Sequence, residues 1–176
     1  MKIALTGGIA CGKSMVAGFL RSEGVETLDA DDVVHELIPA DERKRLAAIV
    51  FSDPVEREKL ERRIHPIVKK RIEEFLAADP RGLRMAIVPL LFETHWDAEY
   101  DIICCVVSDS ARQISRMTEK RGYSEEEARE RLSAQLPVAL KAEKSHYVIE
   151  NNGSLEELKG KVSDFVKWLK GKTDNG

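Results

Sequence analysis

Gly7-Gly8-Ile9-Ala10-Cys11-Gly12-Lys13-Ser14, lying between the short apolar run of residues 2–6 and the amphipathic stretch Met15-Val16-Ala17-Gly18-Phe19-Leu20, is the passage on which the fold turns. It fills the pattern G-x-x-x-x-G-K-[ST] in the context its mechanism requires, strand before and helix after. Glycines let the backbone curl so that successive N–H groups point inward at phosphate oxygens, and the helix start adds the positive end of its dipole. Gly8, Ile9, Ala10, Cys11, Gly12 and Met15 therefore belong to a nucleotide cradle. Lys13 is placed to reach the β- and γ-phosphates of ATP. Ser14 offers its hydroxyl to Mg²⁺, whose other ligands would be phosphate oxygens, waters and a carboxylate. Cys11 sits where a helix start lowers a thiol pKa, which makes a redox switch conceivable; a small residue filling the loop is the favoured reading.

Working outward, the rest of the chain repeats the alternation of strand and helix. Val25-Glu26-Thr27-Leu28 reads as a strand that delivers Asp29-Ala30-Asp31-Asp32 to the start of a helix through Val33, Val34 and Leu37. Between Pro39 and Ala78 the apolar positions follow helical spacing at Leu46, Ile49 and Val50, then Leu60, Ile64, Val68, Ile72 and Phe75, with breaks expected at Asp53-Pro54 and His65-Pro66. Asp79-Pro80-Arg81-Gly82 is turn chemistry, and Leu83 to Leu91 reads as a buried strand running into Phe92-Glu93. Tyr100 to Val107 is a strand covered on both faces, and Ser108-Asp109 caps a helix from Ser110 to Lys120. A capping box at Ser124 to Glu127 opens a helix reaching Leu136. Tyr147-Val148-Ile149 is the last strand, and a helix from Leu155 to Leu169 leads into a frayed tail from Gly171. Such alternation predicts an α/β fold: a three-layer α/β/α P-loop NTPase architecture whose mostly parallel sheet binds ligands at its carboxyl edge.

Composition narrows the function further. The chain has 176 residues, 28 Lys and Arg against 31 Asp and Glu, and a net charge of −3, which argues against a broad nucleic-acid footprint. Three cysteines without metal or disulfide spacing suit a reducing, cytoplasmic setting. Gly7-Gly8 and Lys13 interrupt the first apolar run, against a secretion signal, and no stretch approaches the roughly 18 apolar residues of a membrane span.

Transfer of a phosphoryl group needs a carboxylate that orients and deprotonates the acceptor hydroxyl. Asp29 and Asp31, at a strand's carboxyl end, are the candidates: Asp31 as base and Asp29 toward Mg²⁺. The competing reading is that both only cap the next helix. Glu93 is equally placed to bond a substrate hydroxyl or to be an exposed loop acid, and His65 to contact substrate or, slightly favoured, to play a structural part. Arg116, Lys120 and Arg121 end a helix, where cations suit the dipole, yet a mobile lid carrying them would neutralise charge on the γ-phosphoryl oxygens.

Beyond the loop, Leu28-Asp29-Ala30-Asp31, His65-Pro66, Val88-Pro89-Leu90-Leu91-Phe92-Glu93, Arg121-Gly122-Tyr123-Ser124 with Ala134-Gln135, Pro137 with Lys141, and Val148-Ile149-Glu150-Asn151-Asn152-Gly153 together resemble the dephospho-CoA kinases over nearly the whole chain. The resemblance implies phosphorylation of the ribose 3′-hydroxyl of dephospho-CoA by MgATP, with Asp31 as base. It also implies three parts: a core of five strands over residues 1–31, 83–115 and 145–170, a helical substrate-binding region over 32–82, and a lid over 116–144. Asn151 and Asn152 would lie near the adenine, and His65, Leu90, Leu91 and Glu93 on the acceptor side. A monomer acting on a small molecule, with neither nucleic acid nor membrane as partner, is expected. The chain departs from the usual family pattern at Ala10, Cys11 and Met15, at Lys120-Arg121, and in a shorter segment between Asp31 and His65.

Two other functions share the phosphate loop. A kinase for another small acceptor, such as a nucleoside monophosphate or a shikimate-like alcohol, would differ in its acceptor residues. A nucleotide-dependent switch would need a guanine-reading Asn-Lys-x-Asp, which the chain lacks, and its only switch-like Asp-x-x-Gly, residues 79 to 82, precedes a strand rather than ending one.

Overall fold

A computed structural model describes residues 1–38, 54–79 and 82–173. Its five strands are β1 (Ile3–Gly7), β2 (Glu26–Asp29), β3 (Arg84–Ile87), β4 (Ile102–Val107) and β5 (Tyr147–Glu150), and they lie in the order β2-β3-β1-β4-β5. Every pairing is parallel, with Leu5 opposite Ile87 on one side and Cys104 on the other. Helices α1 (Lys13–Ser22), α2 (Ala30–Leu37), α3 (Pro54–Ala77), α4 (Ser110–Arg121), α5 (Glu125–Ser133) and α6 (Val138–Glu143) lie in the crossovers, the β3-to-β4 connection carries only a 3-10 turn at Asp97–Glu99, and α7 (Leu155–Thr173) follows the last strand.

The pleat divides the strand side chains between two cores. Ile3, Leu5, Ile87, Cys104 and Val106 meet Val16 and Leu20 of α1 and Leu158, Phe165 and Leu169 of α7 on one face. Ala4, Ala86 and Ile103 meet Val33 of α2, Val68 and Ile72 of α3, and Leu91 and Trp96 on the other. Each fully buried Leu, Ile or Phe contributes about 1.5–3 kcal/mol, so the two cores hold the central strand, and the loop after it, from both sides.

Several sequence expectations are corrected. The break expected at His65-Pro66 is absent: α3 runs from Pro54 to Ala77 with Pro66 inside it. Proline there removes one helical bond and costs about 3 kcal/mol in isolation. The cost is offset because Ile64, Val68 and Ile72 pack on the second core from both sides of it, and because Pro66 and Arg62 face solvent. The third strand ends at Ile87, not Leu91. Val88 N–H still donates to Leu5 O, but Pro89 has no N–H to continue the ladder, and the chain folds into a turn in which Thr94 N–H reaches Leu90 O. The helix from Ser124 stops at Ser133, and α6 is a separate helix after Pro137. The last helix continues to Thr173, so Gly171 is helical. Asp109 stands at the cap of α4, although its side chain makes no cap bond and instead accepts from Asn152. The capping box of Ser124 and Glu127 is present in both directions. The helical positions Leu46, Ile49 and Val50, and the expected break at Asp53, lie outside the described residues. The boundary drawn between core and lid at 115/116 falls inside α4, which is continuous through it.

Candidate active site

Beyond the carboxyl end of β1 the chain turns back on itself before entering α1. Gly12 stands at the helix start with φ of 98°, and Gly7 has φ of 145°. Neither position has room for a side chain. A Cβ on Gly12 would lie 2.2 Å from Asn151 Nδ2, and one on Gly7 2.3 Å from Val106 O. Ala10 takes a left-handed φ of 56°, which for a residue with a Cβ costs on the order of 1 kcal/mol. The loop is held in this shape from beneath. Asn151 Nδ2 donates to Cys11 O at 2.8 Å, Arg116 donates to Ala10 O at 3.1 Å and to Asn151 O at 3.0 Å, and Gln113 Nε2 donates to Ile9 O at 2.6 Å. Lys13 Nζ closes it from within, at 3.1 Å from Gly7 O and 2.9 Å from Gly8 O. The carbonyls of the loop are thus turned toward these donors. Met15 N–H and Val16 N–H already bond to Gly12 O, at 3.0 and 3.1 Å, so the amides left to an anion at the start of α1 are those of Lys13 and Ser14.

Above the loop is a cavity of 370 Å³. It gathers most of the residues singled out in the sequence: Ile9, Ala10, Gly12, Lys13, Ser14 and Met15 from the loop, Asp29 and Asp31 from the end of β2, Arg116, Lys120 and Arg121 from α4, and Asn151. Pro89 and Gln135 join them. Burial pushes the Lys13 ammonium below the usual lysine value, and Lys141 acts in the same sense, while the Asp31 and Asp29 carboxylates oppose it. Burial also raises the Asp29 carboxyl, against the hydrogen bond it receives from the Asp31 amide. That bond, 2.9 Å from Asp31 N to Asp29 Oδ1, makes Asp29 the N-cap of α2. Asp31 is the residue being capped, so its exposed carboxylate is spared that task.

The three cations differ. Arg116 is committed to the loop and to Ser108 Oγ at 3.2 Å, whereas Lys120 and Arg121 are exposed on the cavity wall and have no partner among the described residues.

Other expected site residues lie elsewhere. Gly8 and Cys11 shape the loop without lining the cavity, and Cys11 Sγ is part of the first core. Burial pushes its thiol up despite the charges of Lys13 and Arg116, which keeps it protonated and removes the basis for a reactive thiolate. Asn152 is off the cavity, its side chain bonded to Ser108, Asp109 N and Asp109 Oδ1. Leu91 is fully buried in the second core and offers no side-chain surface to an acceptor. Leu90 is exposed, and neither it nor His65 lines the cavity; the His65 ring packs edge-on against Trp96, 5.1 Å between centroids. Glu93 is bound to Lys141 Nζ at 2.7 Å and to Leu136 N at 3.0 Å.

Gln113, Gln135 and Lys141 were given no role by the sequence reading. Gln135 and Lys141 appear in the family resemblance; Gln113 carries no signal beyond being a polar residue on a helix. Gln135 Oε1 accepts from Ile9 N at 3.1 Å, so the segment between α5 and α6 reaches the phosphate loop directly.

Substituting alanine at Gly12 tests the loop. The new Cβ must displace the buried Asn151 amide and adopt a disfavoured φ, at a cost of about 1–3 kcal/mol. The unfolding midpoint should fall by roughly 2–4 °C for each of those kcal/mol, and ATP affinity should fall with it. A variant with wild-type midpoint and ATP affinity would show that the tight approach is not needed.

A parallel sheet in this order, with a glycine cradle at the carboxyl end of its central strand and with acids and cations lining one cavity, defines a P-loop phosphotransferase. Comparison with known proteins narrows the class. The chain belongs to the dephospho-CoA kinase family, whose model matches residues 1–44 and 40–157. The two matched pieces meet inside the segment between Asp31 and His65 that reads as short. The chain is 35% identical to the dephospho-CoA kinase of Thermosynechococcus vestitus, over 96% of this chain and 95% of that one. Among solved structures, a Thermus thermophilus protein is 32% identical with a TM-score of 0.82, covering 96% of this chain and 97% of its own. The dephospho-CoA kinase from Campylobacter jejuni shares the fold at 22% identity and a TM-score of 0.73, covering 98% of this chain and 100% of its own.

Proposed function

We propose that this protein transfers the γ-phosphoryl group of ATP to the ribose 3′-hydroxyl of dephospho-CoA, giving coenzyme A and ADP. The observation that carries the reading is the free carboxylate of Asp31 on the same cavity as Lys13 and Ser14 at the start of α1. The amides of the loop and α1 would cradle the β- and γ-phosphates, and Lys13 would offset their charge. Asp31 takes the proton of the attacking hydroxyl as the new O–P bond forms and the bond to the ADP oxygen breaks. Lys120 and Arg121, free on the cavity wall, supply charge to the equatorial oxygens, while Arg116 holds the floor in place.

The donor set also fits Mg²⁺. Ser14 is exposed at the start of α1, and Asp29 and Asp31 share its cavity. Mg²⁺ bound there would neutralise phosphate charge, with Ser14 as its direct protein ligand and Asp29 toward its waters. Asn151 acts on the nucleotide through the loop it supports. Glu93 acts on the acceptor side. A cytoplasmic location accords with three buried free thiols.

Incubation with MgATP and a panel of dephospho-CoA, nucleoside monophosphates and shikimate tests the proposal. Dephospho-CoA alone should gain a phosphate, located on the ribose by phosphorus NMR. Phosphate on another acceptor, with dephospho-CoA untouched, would overturn the assignment.

A further inference from the structure

Lys141, on the short helix α6, is among the largest side chains with no exposure at all. A buried ammonium is costly unless fully paired. Its pairing here is incomplete. Nζ lies 3.1 Å from Pro89 O and 2.7 Å from Glu93 Oε1, the oxygen that also accepts from Leu136 N. The other oxygen, Glu93 Oε2, is buried and lacks a hydrogen-bond partner. A half-satisfied ionic pair is worse for stability than an apolar filling of the same volume, so stability alone does not account for it.

The partners of the pair point to another reason. Pro89 lines the cavity of Lys13 and Asp31, and its carbonyl also faces Thr6 Oγ at 3.4 Å at the end of β1. Leu136 follows Gln135, whose side chain holds the Ile9 amide. A single charged contact therefore ties the turn after β3 to the lid's end and, through it, to the phosphate loop.

We propose that Lys141 is a positioning residue for phosphoryl transfer, fixing Glu93 and the Pro89 turn against the phosphate loop so that the acceptor is aligned with the γ-phosphate. This inference rests on the kinase reading given above. A misalignment of about 1 Å costs on the order of 10²-fold in rate, which sets the expected effect.

Glu93→Gln, Lys141→Met and the double variant separate positioning from packing. Glu93→Gln leaves the buried Lys141, and Lys141→Met the half-buried Glu93, without its counter-charge, while the double change removes both charges and keeps the volume. The double variant should recover the wild-type unfolding midpoint. Its turnover should stay roughly 10²-fold low, with ATP affinity within about twofold of wild type. Recovery of turnover together with the midpoint would reduce the pair to packing and overturn the inference. Should Lys141→Met fail to fold, Glu93→Gln decides by itself, because it keeps the shape of the carboxylate: wild-type turnover there also overturns it. The variants are compared on whichever panel acceptor the wild-type protein phosphorylates. Loss of the dephospho-CoA assignment is thereby read separately, in the wild-type protein.

Discussion

Lys13→Met is expected to lower turnover by at least about 10³-fold while the protein stays folded, since a preorganised charge aimed at the transferring group is worth several kcal/mol. Methionine keeps the length of the stem and most of its volume. What is lost is the ammonium held 3.1 and 2.9 Å from the Gly7 and Gly8 carbonyls and lining the cavity. Lys13 is half-buried, and the desolvation that lowers its pKa is relieved when an anionic phosphate comes beside it. Single-turnover rates at saturating ATP, with a thermal melt alongside, measure the effect. Turnover within tenfold of wild type in a folded variant would show that Lys13 serves the loop's shape and not the transferring phosphate.

Asp31→Asn is expected to reduce turnover by about 10²–10⁴-fold, the usual contribution of a general base, and to spare ATP binding. The cap of α2 survives, because the Asp31 group bonded to Asp29 Oδ1 is the backbone amide and not the side chain. The exposed amide adds no buried polar group, so the melting midpoint should not move. ATP titration and acceptor kinetics on the same preparation separate the two steps. If turnover is unchanged, the proton leaves by another route, and Asp29, the remaining acid in the cavity, becomes the base to test.

Much of this was legible from local chemistry. The loop pattern, the alternation of strands with helices and the capping box each depend on residues a few positions apart, and each appears where expected. The two acids after β2 were legible as a pair, but not their division of labour. Which one caps and which is free depends on where the strand's last peptide points. The Pro66 break was misread for the same kind of reason. A local rule against proline in a helix was outweighed by Ile64, Val68 and Ile72 docking on the sheet, and the amino-acid string does not display that energy.

Sequence alone determined the phosphate cradle, the α/β order and the identity of the acids and cations, because these follow from short-range sterics, helix starts and side-chain chemistry. Tertiary structure decided the rest: that Arg116 braces the loop, that Asn152 and Leu91 stand away from the cavity, and that Lys141 meets Glu93. The contacts of Arg116 with Ala10, Gln135 with Ile9 and Asn151 with Cys11 join residues more than a hundred positions apart. Such pairings arise only when the parallel crossovers bring distant strand ends to one edge of the sheet, where buried polar groups must find partners.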